Sequence, residues 1–105
     1  MTVDELSAKL SAVASPQRIH ILAALEPGRL HISELARRLN MSRALLYMHL
    51  AKLEEAGFIA SSLELSRDGK ALKFVSLLPF ILTIDTPALV AAVAKSKEIE
   101  GSNAI

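Results

Sequence analysis

Arg43, Ala44, Tyr47 and Met48 fall on one side of the stretch NMSRALLYMHLAKLEEAGFIA, residues 40–60, whose other side carries Leu46, Leu50 and Leu53. Apolar residues at i, i+4 and i+7 are the core-facing stripe of an α-helix. The opposite face offers a guanidinium, a methyl group, a phenol and a thioether early in that helix. Groups of these kinds can bind a partner, but no nucleophile here is paired with a base, as covalent catalysis requires. Glu54 and Glu55 are adjacent. On a helix they point about 100° apart, so they do not converge as an acid–base pair must, and they read as solvated surface. The chain has four glycines and no glycine-rich phosphate loop. An enzyme is not expected.

Metal chemistry finds little support either. Cysteine is absent, which removes thiolate ligands, cysteine nucleophiles and disulfides together and fits a reducing compartment. His20, His31 and His49 stand at no ligand spacing such as i, i+4. Each reads as ordinary: His20 on a helix flank, His31 near a cap, His49 packed at a helix edge or touching a phosphate. No metal and no cofactor are expected.

Net charge is only +1, but it is unevenly placed. Between Arg29 and Lys73 lie eight Lys/Arg and five Asp/Glu, a local +3, which leaves −2 on the remainder. A basic middle between acidic ends is a mild nucleic-acid signal. Aromatics make up 4% of the chain, too few for single-strand stacking platforms. Hydrophobic residues make up 51% of these 105 residues, more than one small core needs, which hints at a buried subunit interface. No apolar run reaches membrane-span length, and the N-terminal MTVDELSAKL is amphipathic and acidic, unlike a signal peptide. A cytoplasmic protein is expected.

The elements that must hold these residues follow from local signals. Thr2 and Glu5 make a capping box for a helix over residues 3–14, with Leu6, Leu10 and Val13 on one face. Ser15-Pro16 starts a second helix with the stripe Ile19, Leu22 and Leu25. Ile32-Ser33 opens a third, with Ser33 as cap and Leu35, Ala36 and Leu39 inward. Asn40 suits the left-handed conformation that closes a helix, and Ser42 caps the next one at once. Met41 and Leu46 are placed for a hydrophobic staple. The pair of helices reads as a helix-turn-helix. Gly57 ends the second of them. Two extended runs around Asp68-Gly69 then predict a hairpin over Phe58–Ser66 and Ala71–Leu77. FILTI, residues 80–84, reads as a third short strand, and Thr86-Pro87 caps a last helix through about Lys97. Ala88–Ala94, ALVAAVA, is apolar all round and too short for a membrane, so it is expected to bury against a second subunit.

SPQRIHILAAL, ISELARRLNMSRALLYMHLAKLEEAGFI and the RDGKALKF hairpin together resemble the ArsR-like winged helix-turn-helix regulators. The resemblance covers residues 15–77. It is carried most specifically by Ser42, His49-Leu50, Leu53 and Glu55-Ala56-Gly57-Phe58. The ending FILTIDTPALVAAV is more similar to archaeal members than to metal sensors. The implied fold is mainly α with a small β-hairpin wing, a single domain over residues 1–105. Its flanking helices, 1–14 and 86–99, would form a homodimer interface through Leu6, Leu10, Leu89, Val90 and Val93. The implied function is sequence-specific binding of double-stranded DNA as a transcriptional regulator. The helix 42–56 would lie in the major groove and the wing 66–71 on the flanking backbone. On that resemblance Arg43 reads guanine, Ser42 and Tyr47 bond phosphate or base, and Ala44 meets a thymine methyl. Arg67 and Lys70 reach flanking phosphates or the minor groove, and Arg37 or Arg38 faces the backbone.

The chain departs from the family's pattern at Met48, where a basic or polar residue is common, and at Ala51, where lysine is. Two alternatives stay open. Met48 and Leu45 would serve a protein-interaction module within a larger assembly, or an apolar effector would bind between the terminal helices and the core.

Overall fold

The computed structural model describes residues 1–103. Ala104 and Ile105, included in the expected domain, lie outside the described residues. In chain order the elements are α1 (Val3–Val13), α2 (Pro16–Leu25), β1 (Leu30–His31), α3 (Ile32–Arg38), α4 (Arg43–Glu55), β2 (Ile59–Leu65), β3 (Ala71–Leu77) and α5 (Thr86–Asn103). This is a winged helix-turn-helix, mainly helical, with the strands in the antiparallel order β1-β3-β2. The chain divides into two compact units, residues 12–80 and residues 1–11 with those from Ile81 onward.

The central unit is organised by its chain reversals. Ser15 Oγ accepts the N–H of Arg18 and Pro16 follows it, which starts α2. Asn40 has φ +50°, and the Met41 N–H donates to the Ala36 carbonyl at 3.0 Å, closing α3. Ser42 Oγ then accepts the Leu45 N–H at 3.1 Å, so α4 begins two residues after the turn. The other end of α4 closes in the same way: Gly57 has φ +84°, and the Phe58 N–H donates to the Leu53 carbonyl at 3.0 Å. Ile21, Leu25, Leu35, Leu46, Leu53, Phe58 and Val75 are completely or almost completely buried, so α2, α3, α4 and the sheet share one core.

Three expectations are corrected here. Residues 80–84 are not a strand: β3 is already flanked by β1 and β2, and Ile81 is 93% exposed. The third strand is β1, paired through Leu30 with Val75 and His31 with Phe74. Its two residues are too few to show a period. The N-cap position of α3 is His31, not Ser33, because Ile32 is already helical and buried. The stripe of α2 is Ile21, Leu22 and Leu25, while Ile19 is 55% exposed. The remaining place on that face belongs to Arg18, whose Nε donates to the Ala12 carbonyl at 2.6 Å.

In the terminal unit, Thr2 Oγ1 accepts the Glu5 N–H at 3.2 Å, one half of the expected capping box. At the start of α5, Asp85 Oδ1 accepts the Ala88 N–H at 2.8 Å, so the capping side chain is Asp85 rather than Thr86. The Val3 N–H donates to Ser96 Oγ at 2.9 Å, and Leu6 and Ala92 are buried. Among the described residues no helix is long and apolar enough to cross a membrane.

Candidate nucleic-acid interface

The face of α4 away from the core is the candidate site. Leu46, Leu50 and Leu53 turn inward, so the helical period turns Ser42, Arg43, Ala44, Tyr47, Met48 and Ala51 outward, and all six are exposed. The chain reversal at Asn40 places this face at the beginning of α4, where side chains of α3 can reach it. Arg43 Nη2 donates to Ser33 Oγ, so the guanidinium is held against α3. One bond leaves the fork with further N–H donors for a partner. Ser42 is partly committed, since its hydroxyl oxygen caps α4.

Arg37 and Arg38 share one carboxylate. Arg37 Nη2 and Arg38 Nε lie 2.6 and 2.9 Å from Glu34 Oε1. These two arginines hold the Glu34 carboxyl down at about 2, the bond from Arg37 weighing most. Because that value lies below the ordinary 4.5, the network supports the fold above pH 4.5, and the support is lost as pH falls toward 2. Glu34→Gln should therefore flatten the decline of thermal stability between those two pH values. An unchanged acid limb in thermal melts would show that the network contributes nothing.

The wing supplies the second basic group. Arg67 and Lys70 lie in the five-residue turn between β2 and β3, both exposed. Gly69 has φ +81° there, and the Ser66 N–H donates to the Lys70 carbonyl at 2.8 Å. Lys70 Nζ lies 3.9 Å from Asp68 Oδ2. The sheet is braced on one face, where Arg29 donates to Glu64 through both Nη atoms and stacks 4.1 Å from the Phe74 ring centre. Hydrogen bonding to Arg29 pulls the Glu64 carboxyl below its usual range. Neither Arg29 nor Ser33 was singled out as a site residue by sequence reasoning, because their partners are distant in the chain.

His49 lies away from this face. It is 6% exposed, with Nδ1 at 3.1 Å from Arg18 Nη1, so it is a core histidine tying α4 to α2. Burial, and then the Arg18 charge, push its pKa down. The phosphate contact considered for His49 does not suit that position. Of the residues expected at a subunit interface, Leu6 is buried and Leu10 half-buried, while Leu89, Val90 and Val93 are exposed on α5.

Residues 15–61 match the family described as bacterial regulatory proteins of the arsR family. The matched segment is similar to that family's helix-turn-helix domain and takes in somewhat less than half of the chain. Across 54 residues the chain is 43% identical to an uncharacterised HTH-type transcriptional regulator of Methanocaldococcus jannaschii, a match spanning 51% of this chain and 57% of that protein. The chain thus covers little more than half the length of this curated relative. Among solved structures it resembles reduced HlyU from Vibrio cholerae, with 28% identity and a TM-score of 0.61 over 72% of this chain and 75% of that one. It also resembles NolR from Sinorhizobium fredii, with 25% identity and a TM-score of 0.60 over 72% and 71% of the two chains.

Proposed function

We propose that this chain is an ArsR-type, cytoplasmic transcriptional regulator that binds double-stranded DNA sequence-specifically as a homodimer. The observation that carries the reading is the exposed face of α4, with Arg43, Ala44 and Tyr47 in its first half and a basic turn, Arg67 and Lys70, on the adjoining wing. The N-terminal half of such a helix reads base edges in the major groove, and the wing takes the flanking backbone. Arg38 adds a backbone contact from α3. The exposed apolar residues of α5, Leu89, Val90 and Val93, support a second copy as their cover. Two reading helices about 34 Å apart would then meet an inverted repeat.

Selection of bound duplexes from a random pool at moderate salt tests this directly. An enriched inverted repeat is expected; retention without enrichment points to nonspecific binding. A second reading, docking on a protein, is favoured by the exposure of Leu45 and Met48 on the same face. It calls for no duplex binding even at low salt and for partner capture that salt does not disrupt.

Two further expectations follow from the arrangement. Lys70→Ala should weaken binding to all sequences alike and reduce the salt slope by about one. An unaltered slope would take the wing tip off the phosphates. Val90→Lys places a charge on the proposed α5 interface, and light scattering should then report one copy where the parent chain reports two. A dimeric variant would remove that helix from the interface.

A further inference from the structure

We infer that Lys73, on the second strand of the wing, is a positioning residue for base readout, acting through the ring of Tyr47. The inference rests on the DNA-binding reading and deepens it, because it makes the wing part of the sequence-reading apparatus as well as a backbone clamp.

The sheet register carries the argument. Lys73 sits opposite Leu63, and Val75, two residues on, sits opposite Ser61. Alternation puts Lys73 and Val75 on the same face of β3. Val75 is wholly buried in the core, so that face is turned toward the helices. Lys73 is half-buried one step further along it. From there its Nζ stands 5.0 Å from the centre of the Tyr47 ring. This lies within the ~6 Å at which a cation is attracted to an aromatic face. The other face of the hairpin carries Glu64 and Phe74, both held by Arg29. The strand that bears Lys73 is therefore anchored from behind.

Tyr47 follows Arg43 by one helical turn, so the two stand on the same side of α4. A tyrosine there can swing between rotamers, and each rotamer delivers the hydroxyl to a different place. A cation over the ring favours one of them. A preorganised group loses less freedom on binding and tolerates fewer alternative partners. A lysine that only touched phosphate would act otherwise, since a phosphate contact strengthens binding to every sequence alike.

Tyr47 is the chain's one tyrosine, and tryptophan is absent, so intrinsic fluorescence reports this ring alone. The full-length chain, Lys73→Met and Lys73→Arg are compared. Lys73→Met keeps an apolar stem and removes the cation. Without DNA it should make Tyr47 more accessible to acrylamide quenching, and Lys73→Arg should restore protection. On the duplex selected from the random pool, Lys73→Met should lower discrimination against single-base variants ~2–5-fold, the size of one exposed cation–π contact. On top of Tyr47→Leu it should lower discrimination no further. Unchanged quenching, equal loss on selected and random duplexes, or additive losses in the double variant would each overturn the inference while leaving the DNA-binding reading in place. A parent chain that selects no sequence would overturn both.

Discussion

Arg43→Ala should cost roughly 1–3 kcal/mol of affinity for the selected duplex, about 5- to 150-fold, and relax specificity at the base pair it contacts. The expectation rests on position and chemistry together. Arg43 is the first residue of α4, exposed on the face opposite Leu46, Leu50 and Leu53. A guanidinium matches the paired acceptors of guanine, O6 and N7, in a way no other base pair reproduces. The bond from Nη2 to Ser33 Oγ tethers the fork before any partner arrives. Ser33→Ala should accordingly reproduce a small part of the loss. Fold stability should be nearly unaffected by Arg43→Ala, because Arg43 is exposed and its side chain neither packs in the core nor caps a helix, and such a substitution usually changes stability by about 0.5 kcal/mol or less. Binding titrations on selected and random duplexes decide the matter. An equal loss on both would make Arg43 a phosphate contact and leave base reading to other residues.

The second large effect is on the fold itself. Leu53→Ala should destabilise the chain by about 2–5 kcal/mol. Leu53 is fully buried, on the last turn of α4, and its carbonyl accepts the Phe58 N–H that closes the helix at Gly57. The substitution leaves a cavity between α4 and the start of β2, where Phe58 and Ile59 are also buried. Domains of this size hold only about 5–15 kcal/mol in all, so the midpoint of thermal unfolding should fall by at least ~10 °C. A fall of only a degree or two would mean that the surrounding side chains collapse into the space. DNA binding measured well below the new midpoint should survive, since no group on the outward face of α4 is altered.

What a few neighbouring residues can decide was legible in the chain. The Ser15-Pro16 start, the left-handed Asn40, the Ser42 cap, the Gly57 stop and the Asp68-Gly69 turn depend on contacts within about five residues, and all five take the form that their chemistry requires. The inward stripe of α4 was equally plain, because Leu46, Leu50 and Leu53 admit one helical face. The stripe of α2 was not. Ile19, Leu22 and Leu25 satisfy the helical period as well as Ile21, Leu22 and Leu25 do. The choice fell to packing, which placed Arg18 between Ala12 and His49 and left Ile19 in water. FILTI is a further case, since an apolar run reads alike as strand or coil until pairing with a sheet is settled, and residues 80–84 pair with none.

By itself, then, the amino-acid sequence determined the helix-turn-helix, its boundaries near the turn, the hairpin and the residues offered on the outward side of α4. The physical basis is short-range: caps, positive-φ positions and periodicity act between residues that are already close in the chain. Tertiary structure alone decided what those residues are tethered to. Arg43 is held by Ser33, ten positions away, and His49 meets Arg18, thirty-one positions away. Glu64 is clamped by Arg29, thirty-five positions away, and the Tyr47 ring lies under a lysine of the wing. No local pattern encodes such pairs, because they exist only after α2, α3, α4 and the sheet have closed around a common core.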